Sequence, residues 1–267
     1  MAEIHATAVV DPAAQIASDV SIGPYCVVGP EVELDEGVML RQHAVVEGRT
    51  RLGPGVQVYA FAAVGSPPQD LKYKGERSVL EVGAQTIIRE HCTLNPGTEG
   101  GGGVTRVGAN CLLMVGTHVA HDCQLGDGVV MANNATLGGH VTVGASAFLG
   151  GLCAIHQFAR VGQGAMVGGM SGVEGDVIPY GMVMGNRARL TGINVVGLKR
   201  RGTGKPDLQR LRAAYHELFV DRRGTFQDRL HRVAEVYAED PLVQDIVAFI
   251  RADADRSLCQ PKAENAA

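Results

Sequence analysis

The stretch VGANCLLMVGTHVAHDCQLGDGVVMANNATLGGHVTVGASAFLGGLCAIHQFARVGQGAMVGGMSGVEGDV, Val107 to Val177, returns an aliphatic residue or methionine at every sixth position. The series is Val107, Leu113, Val119, Leu125, Met131, Leu137, Val143, Leu149, Ile155, Val161, Val167 and Val173. Four residues after each stands a smaller side chain: Cys111, Thr117, Cys123, Val129, Ala135, Val141, Ala147, Cys153, Ala159, Ala165, Ser171 and Val177. A period of six fits neither an amphipathic helix nor an alternating strand. It is the signature of hexapeptide repeats wound into a parallel β-helix.

Working outward, the same six-residue period runs through Ile4, Val10, Ile16, Ile22, Val28, Leu34, Leu40, Val46, Leu52, Val58 and Val64, and resumes at Val82, Ile88 and Leu94. Three hexads close one triangular coil, which predicts about nine stacked coils and a prism roughly 40 Å tall at about 4.8 Å per strand spacing. Two excursions break the pattern. SPPQDLKYKGERS, Ser66 to Ser78, keeps the phase but puts Asp70 and Glu76 where aliphatics belong. Around EGGGG, Glu99 to Gly103, the spacing from Leu94 to Val107 stretches to thirteen. Both predict extruded loops, near 66–78 and 99–106, and loops on a rigid scaffold often carry function. The β-helix is expected over 1–193.

The coil pattern fades near Pro179, and from Pro206 the period turns helical. Leu208, Leu211, Tyr215 and Leu218 make one stripe; Phe226, Leu230, Val233 and Tyr237 a second; Leu242, Ile246, Phe249 and Ile250 a third. These predict about three amphipathic helices within a C-terminal domain over 194–267. Thirteen of the 24 Lys and Arg lie from Lys199 onward, led by Lys199, Arg200 and Arg201, with Arg187 and Arg189 close by. Eleven acids share that tail. The basic cluster suits an acidic partner or a diphosphate.

Composition agrees with a narrow coil: 36 glycines, no tryptophan, and few aromatic residues over 267 positions. A formal charge of −4 leaves no nucleic-acid footprint. With no signal-peptide core and no apolar span of about 18 residues, the expectation is a cytoplasmic protein with no membrane span. Cys26, Cys92, Cys111, Cys123 and Cys153 all take the small inward place of a hexad, which reads as core packing rather than disulfide or metal chemistry. Cys259 is expected to be a reduced thiol.

His121, His140 and His156 are spaced 19 and 16 apart, close to the 18 residues of one coil, so they should form a column on three successive coils. They fall outside the inward places. His118 precedes His121 by three, and Asp122 follows it. A neutral imidazole beside a carboxylate can accept a proton near neutral pH. Three imidazoles could equally hold zinc and a water, as in a hydratase of this fold. Spacing leaves both chemistries open.

PQDLKYKGE (Pro68–Glu76), HVAHDC (His118–Cys123), ANNATLGGHV (Ala132–Val141), AIHQF (Ala154–Phe158), VGGMSGV (Val167–Val173) and GLKRRG (Gly197–Gly202) resemble segments of the bacterial UDP-N-acetylglucosamine 3-O-acyltransferases, which open lipid A synthesis. The resemblance implies a left-handed coil and a homotrimer with clefts between prisms. It implies transfer of a (3R)-3-hydroxyacyl group from acyl carrier protein to the 3-hydroxyl of UDP-N-acetylglucosamine, with no cofactor, no metal and no covalent acyl-enzyme.

By the same resemblance His121 is the general base, Asp122 polarises it, and the Gly139 N–H holds the oxyanion. Asp70 and Lys72, with Gln69 beside them, contact the sugar and its phosphates; His118, His140, His156 and Gln157 line the sugar and acyl cleft; Asn194, Arg200 and Arg201 serve the uridine diphosphate. Gly169 falls at the acyl chain-length position, and its lack of a side chain suits a longer chain, with Met166 and Met170 nearby. The sequence departs from the family pattern at Val196, where a glutamate is common, and at Asn95 and Pro96, where a His-Arg pair is common. A hexapeptide acyltransferase acting on an amino-sugar nucleotide is the runner-up; a zinc-dependent hydratase and a non-enzymatic repeat scaffold rank below it.

Overall fold

In the computed structural model, residues 1–252 and 254–262 are described. Residue 253 and residues 263–267 of the expected C-terminal domain lie outside the described residues. Each hexad contributes a two-residue strand ending on the periodic aliphatic, followed by a turn. Strands pair in parallel with the strand one coil later, as in Leu112↔Val130 and Leu113↔Met131, and three sheets of 11, 9 and 8 strands form the prism walls. This is the left-handed parallel β-helix that the resemblance implied.

Both inward places of the hexad are filled as the pattern requires. Leu40, Val58, Ile88, Leu113, Met131 and Leu149 are buried in one ladder, and Cys92, Thr117, Ala135 and Cys153 in another. Burying each large aliphatic stabilises the coil by about 1.5–3 kcal/mol. Five of the cysteines belong to this core and all six are free. Burial pushes the Cys123 thiol up to about 12 and the Cys153 thiol to about 11, which keeps both protonated and unreactive. Cys259, also buried, donates its thiol to Gly175 O at 3.4 Å.

The corners are made by residues with positive φ, and these also stack coil on coil. One corner runs through Gly116, Asn134, Leu152 and Met170; another through Asp122, His140 and Phe158. For a side-chain-bearing residue the left-handed conformation costs roughly 1–2 kcal/mol. Register is the reason it is held: each corner N–H donates to the corner below, as His140 N does to His121 O at 3.0 Å and Phe158 N to Gly139 O at 3.1 Å.

Residues 66–78 leave the wall without a strand, as expected. The second excursion lies a few residues earlier than 99–106. It occupies 95–103, with a single 3-10 turn at Glu99–Gly101, and Val104–Val107 is already a strand paired with Val79–Val82. The early return is hard to read because Gly101 stands where the hexad before Val107 would start; Thr105 takes the small inward place of that hexad, and its hydroxyl accepts the Asp122 N–H at 2.7 Å.

After the last coil an antiparallel strand, Arg189–Ile193, leads into four helices: α1 (Val195–Arg200), α2 (Lys205–Phe219), α3 (Phe226–Val236) and α4 (Pro241–Arg251). Sequence periodicity missed α1, which is under two turns long and has only Leu198 buried. Thr225 and Asp228 form a reciprocal cap on α3, and Asp240 accepts from the Leu242 and Val243 N–H groups to start α4. The buried stripe of α4 is Val243, Ile246 and Val247, so the face is rotated from the one expected. Its Asp245 accepts hydrogen bonds from Gln163 Nε2 and the Tyr180 hydroxyl, tying the helices to the prism. Among the described residues no helix is long and apolar enough to cross a membrane.

Candidate active site

Val119 and Cys123 point into the coil, which leaves His121 and Asp122 on the turn between them. Asp122 is nonetheless sealed: its side chain is 1% exposed, against 14% for His121. The seal is the 95–103 loop. Thr98 N donates to Asp122 Oδ1 at 2.9 Å and Thr98 Oγ1 to Oδ2 at 2.6 Å. A Cβ at Gly101 would collide with this carboxylate, so the loop can close here only as glycine.

His121 Nδ1 lies 2.8 Å from Asp122 Oδ2. A carboxylate already taking two donors acts as acceptor, so Nδ1 carries the proton and Nε2 keeps its lone pair. Gly139 sits one coil later against the ring. A Cβ there would fall 2.5 Å from His121 Cε1 and 2.6 Å from Nε2. The Gly139 N–H has no acceptor among the described residues, while its neighbours Gly138 and His140 donate to Ile155 O and His121 O.

The histidines do not form one column. Register sets His121 over Gly139 and Gln157, and sets His140 between Asp122 and Phe158; His156 falls one place earlier. His140 meets His121 edge to face at 5.0 Å and stacks on Phe158 at 4.4 Å. Its Nδ1 is 3.9 Å from Asp122 Oδ2. Burial pushes the His140 pKa below its ordinary value and His121 adds to this, opposed by the carboxylates of Asp122, Asp70 and Asp255. His118 is also pushed down, by burial first and His121 second; its Nδ1 is 2.7 Å from Thr93 Oγ1. His156 is exposed and belongs to another group, with Arg256 Nη2 2.9 Å from its Nδ1. The donor atoms close enough to share an ion are therefore those of His121, Asp122 and His140, not three imidazoles. Asp122 Oδ2 is already engaged by Thr98 and His121, so the set fits a proton-transfer pair better than a metal centre.

Of the first-loop residues, Gln69 and Lys72 are exposed, and Asp70 Oδ1 accepts the Lys72 N–H at 3.0 Å. Asn95, a departure from the family pattern, pins the start of this loop: its Nδ2 donates to Ser66 O at 2.9 Å and Pro67 O at 3.3 Å. Asn194 is buried and spends both ends of its amide inside the chain, accepting from Gly197 N at 2.9 Å and donating to Gly164 O at 3.0 Å. It caps α1 and so aims the Arg200–Arg201 turn. Arg200 is exposed; Arg201 Nη1 reaches Ser146 O at 3.4 Å. Val196 is 61% exposed, and Gly169 and Met170 lie together on an exposed corner.

Sequence reasoning missed Thr98, Thr105, Phe158 and Arg256. Phe158 carried a usable signal, standing 18 residues after His140. The glycines at 97 and 101 signalled a close approach, without saying to what.

Residues 104–139 match the family described as bacterial transferase hexapeptide, six repeats, and residues 176–259 the one described as UDP N-acetylglucosamine O-acyltransferase, domain 2. The chain is 53% identical to the acyl-(acyl-carrier-protein):UDP-N-acetylglucosamine O-acyltransferase of Azorhizobium caulinodans, over 98% of this chain and 96% of that one. The enzyme of the same name from Caulobacter vibrioides is 54% identical, over 98% and 99%. Among solved structures, the UDP-N-acetylglucosamine acyltransferase of Francisella novicida superposes with a TM-score of 0.94 at 33% identity, covering 97% of this chain and 95% of that one. The Campylobacter jejuni enzyme gives 0.91 at 37%, over 97% and 99%.

Proposed function

The chain belongs to the family of acyl-carrier-protein-dependent UDP-N-acetylglucosamine O-acyltransferases, and on that premise we propose that His121 is the general base of the transfer. The enzyme moves an acyl group from acyl carrier protein to UDP-N-acetylglucosamine, the first step of lipid A synthesis. In our reading the acceptor is the sugar 3-hydroxyl and the donor a (3R)-3-hydroxyacyl thioester. His121 Nε2 takes the hydroxyl proton as the oxygen attacks the thioester carbonyl. The new C–O bond forms, the C–S bond breaks, and the imidazolium returns the proton to the departing thiolate.

The observation that carries this is the His121–Asp122 pair: a 2.8 Å contact to a carboxylate whose other contacts all come from donors. Asp122 fixes the tautomer that leaves Nε2 free and stabilises the imidazolium formed. The Gly139 N–H, with no acceptor among the described residues and on a residue packed against the His121 ring, is suited to the developing oxyanion. The depressed pKa of His118 and His140 favours neutral rings near neutral pH, suited to binding rather than proton storage. Gln69, Asp70, Lys72, His156 and Gln157 would border the sugar and acyl groups, Arg200 and Arg201 the diphosphate with Asn194 holding their turn, and Gly169 the acyl end.

We read the protein as a homotrimer. Support comes from a strip on one corner: Tyr25, His43, Phe61 and His91 stack at 5.0–5.2 Å, and Tyr25, Phe61, Leu152 and Met170 are exposed along it. Light scattering of the purified protein tests the assembly. For the chemistry, purified enzyme with 3-hydroxyacyl carrier proteins of several lengths and UDP-N-acetylglucosamine should yield a singly acylated sugar nucleotide, identified by mass. Absence of product with every donor, or equal turnover by His121→Ala, would overturn the assignment.

A further inference from the structure

After α4 the chain turns back along the prism. Leu258 bridges Asp176 in parallel, with Asp176 N donating to Ser257 O and Cys259 N to Asp176 O, both at 2.8 Å. The anchor is buried and charged. Asp176 accepts from Arg160 N and Nε, each at 2.8 Å, and Arg160 lies over the Phe249 ring of α4 at 4.3 Å. This fixes the register of the returning tail and brings Arg256 to the edge of the site.

Arg256 makes two contacts there: Nη2 to His156 Nδ1 at 2.9 Å and Nε to Gln157 O at 3.1 Å. A guanidinium only donates, so His156 Nδ1 must accept. The ring proton then sits on Nε2, which has no partner among the described residues. A second acceptor makes the choice conditional on Arg256: Gln157 O also lies 3.2 Å from Nδ1. With Arg256 gone, that carbonyl would favour a proton on Nδ1, leaving Nε2 as an acceptor.

We infer that Arg256 is a positioning residue that sets His156 as a hydrogen-bond donor through Nε2, directed at an acceptor oxygen of bound substrate. His121 and His156 are thereby held in opposite tautomers, one presenting a lone pair and the other an N–H. The substrate half of this inference rests on the acyl-transfer reading above; the tautomer half does not.

The test uses the full chain labelled with ¹⁵N-histidine, with the His156 signals identified by their loss in His156→Gln. The wild type should show His156 protonated at Nε2, Arg256→Ala should move the proton to Nδ1, and Arg256→Lys, which keeps a donor, should retain the wild-type form. Unchanged His121 signals confirm that the variants are folded. In the transfer assay Arg256→Ala should lower kcat/KM about tenfold, the loss of one substrate hydrogen bond, with partial rescue by Arg256→Lys. An Nδ1 proton in the wild type, or an Nε2 proton that persists in Arg256→Ala, would overturn the inference. The spectra need no substrate, so they decide the tautomer even if the transfer assay were to fail.

Discussion

Two histidines on the coil are held by opposite means. His121 is set by the coil: its partner Asp122 is the next residue, buried by a loop and fixed through Thr98. His156 is set by the tail: its partner Arg256 arrives from 100 residues away on a segment tied down at Asp176. The difference teaches how a rigid repeat acquires a site. The coil supplies placement and, at His121, the acceptor as well, whereas at His156 the donor comes from a segment laid against the coil.

Removing the coil-set half should have the largest effect. His121→Ala should lower kcat by about 10²- to 10⁴-fold, the range of a lost general base, with little change in unfolding by urea. Equal losses in kcat and kcat/KM would place its action in the transition state. Releasing the tail-set half should act on stability first. Asp176→Ala leaves the Arg160 charge without its carboxylate and so loosens the backbone segment on which the tail pairs, at a cost of about 3 kcal/mol, read from urea midpoints at fixed protein concentration. It should also shift His156, and not His121, to the other tautomer. If both rings changed together, the two halves would not be independent.

Gly101→Ala sharpens the comparison from the other side. The added methyl would collide with the Asp122 carboxylate, so the loop must lift and Thr98 must release it. We expect about a tenfold loss in kcat, equivalent to the loss of one charge-assisted hydrogen bond, with Arg256-dependent behaviour at His156 intact. Wild-type kcat in Gly101→Ala would mean that the seal over Asp122 does not matter to the chemistry.

The same division explains what could be read from the chain. A six-residue period fixes which side chains enter the core and which residues lie 18 apart, so the prism and the buried cysteines were legible, as was Asp122 beside His121; Gly139 was expected only from the family resemblance. Register is less forgiving. An offset of 19 or 16 looks like a column but changes neighbour, and Phe158 rather than His156 stacks on His140. Thr105 was hidden because its hexad starts on Gly101 and not on an aliphatic. Thr98 and Arg256 lie outside the repeat, where no periodicity links them to the residue they touch. The third helical stripe drifted for a related reason: Leu242, Phe249 and Ile250 are apolar but only half-buried, and hydrophobicity alone does not choose between adjacent faces of a short helix.

The smallest expected effect concerns pH and acts through the two buried rings on the coil side of the comparison. His118 and His140 have folded pKa values below the ordinary 6.5, chiefly because burial disfavours the charged ring. Below 6.5 the unfolded chain therefore binds protons that the folded chain does not. Stability from these two groups is fully present above 6.5 and falls as pH is lowered from there through their folded values. Urea midpoints measured from pH 7.5 down to about 5 should decline over that window, before most carboxylates titrate. His118→Gln and His140→Gln should each flatten part of the decline.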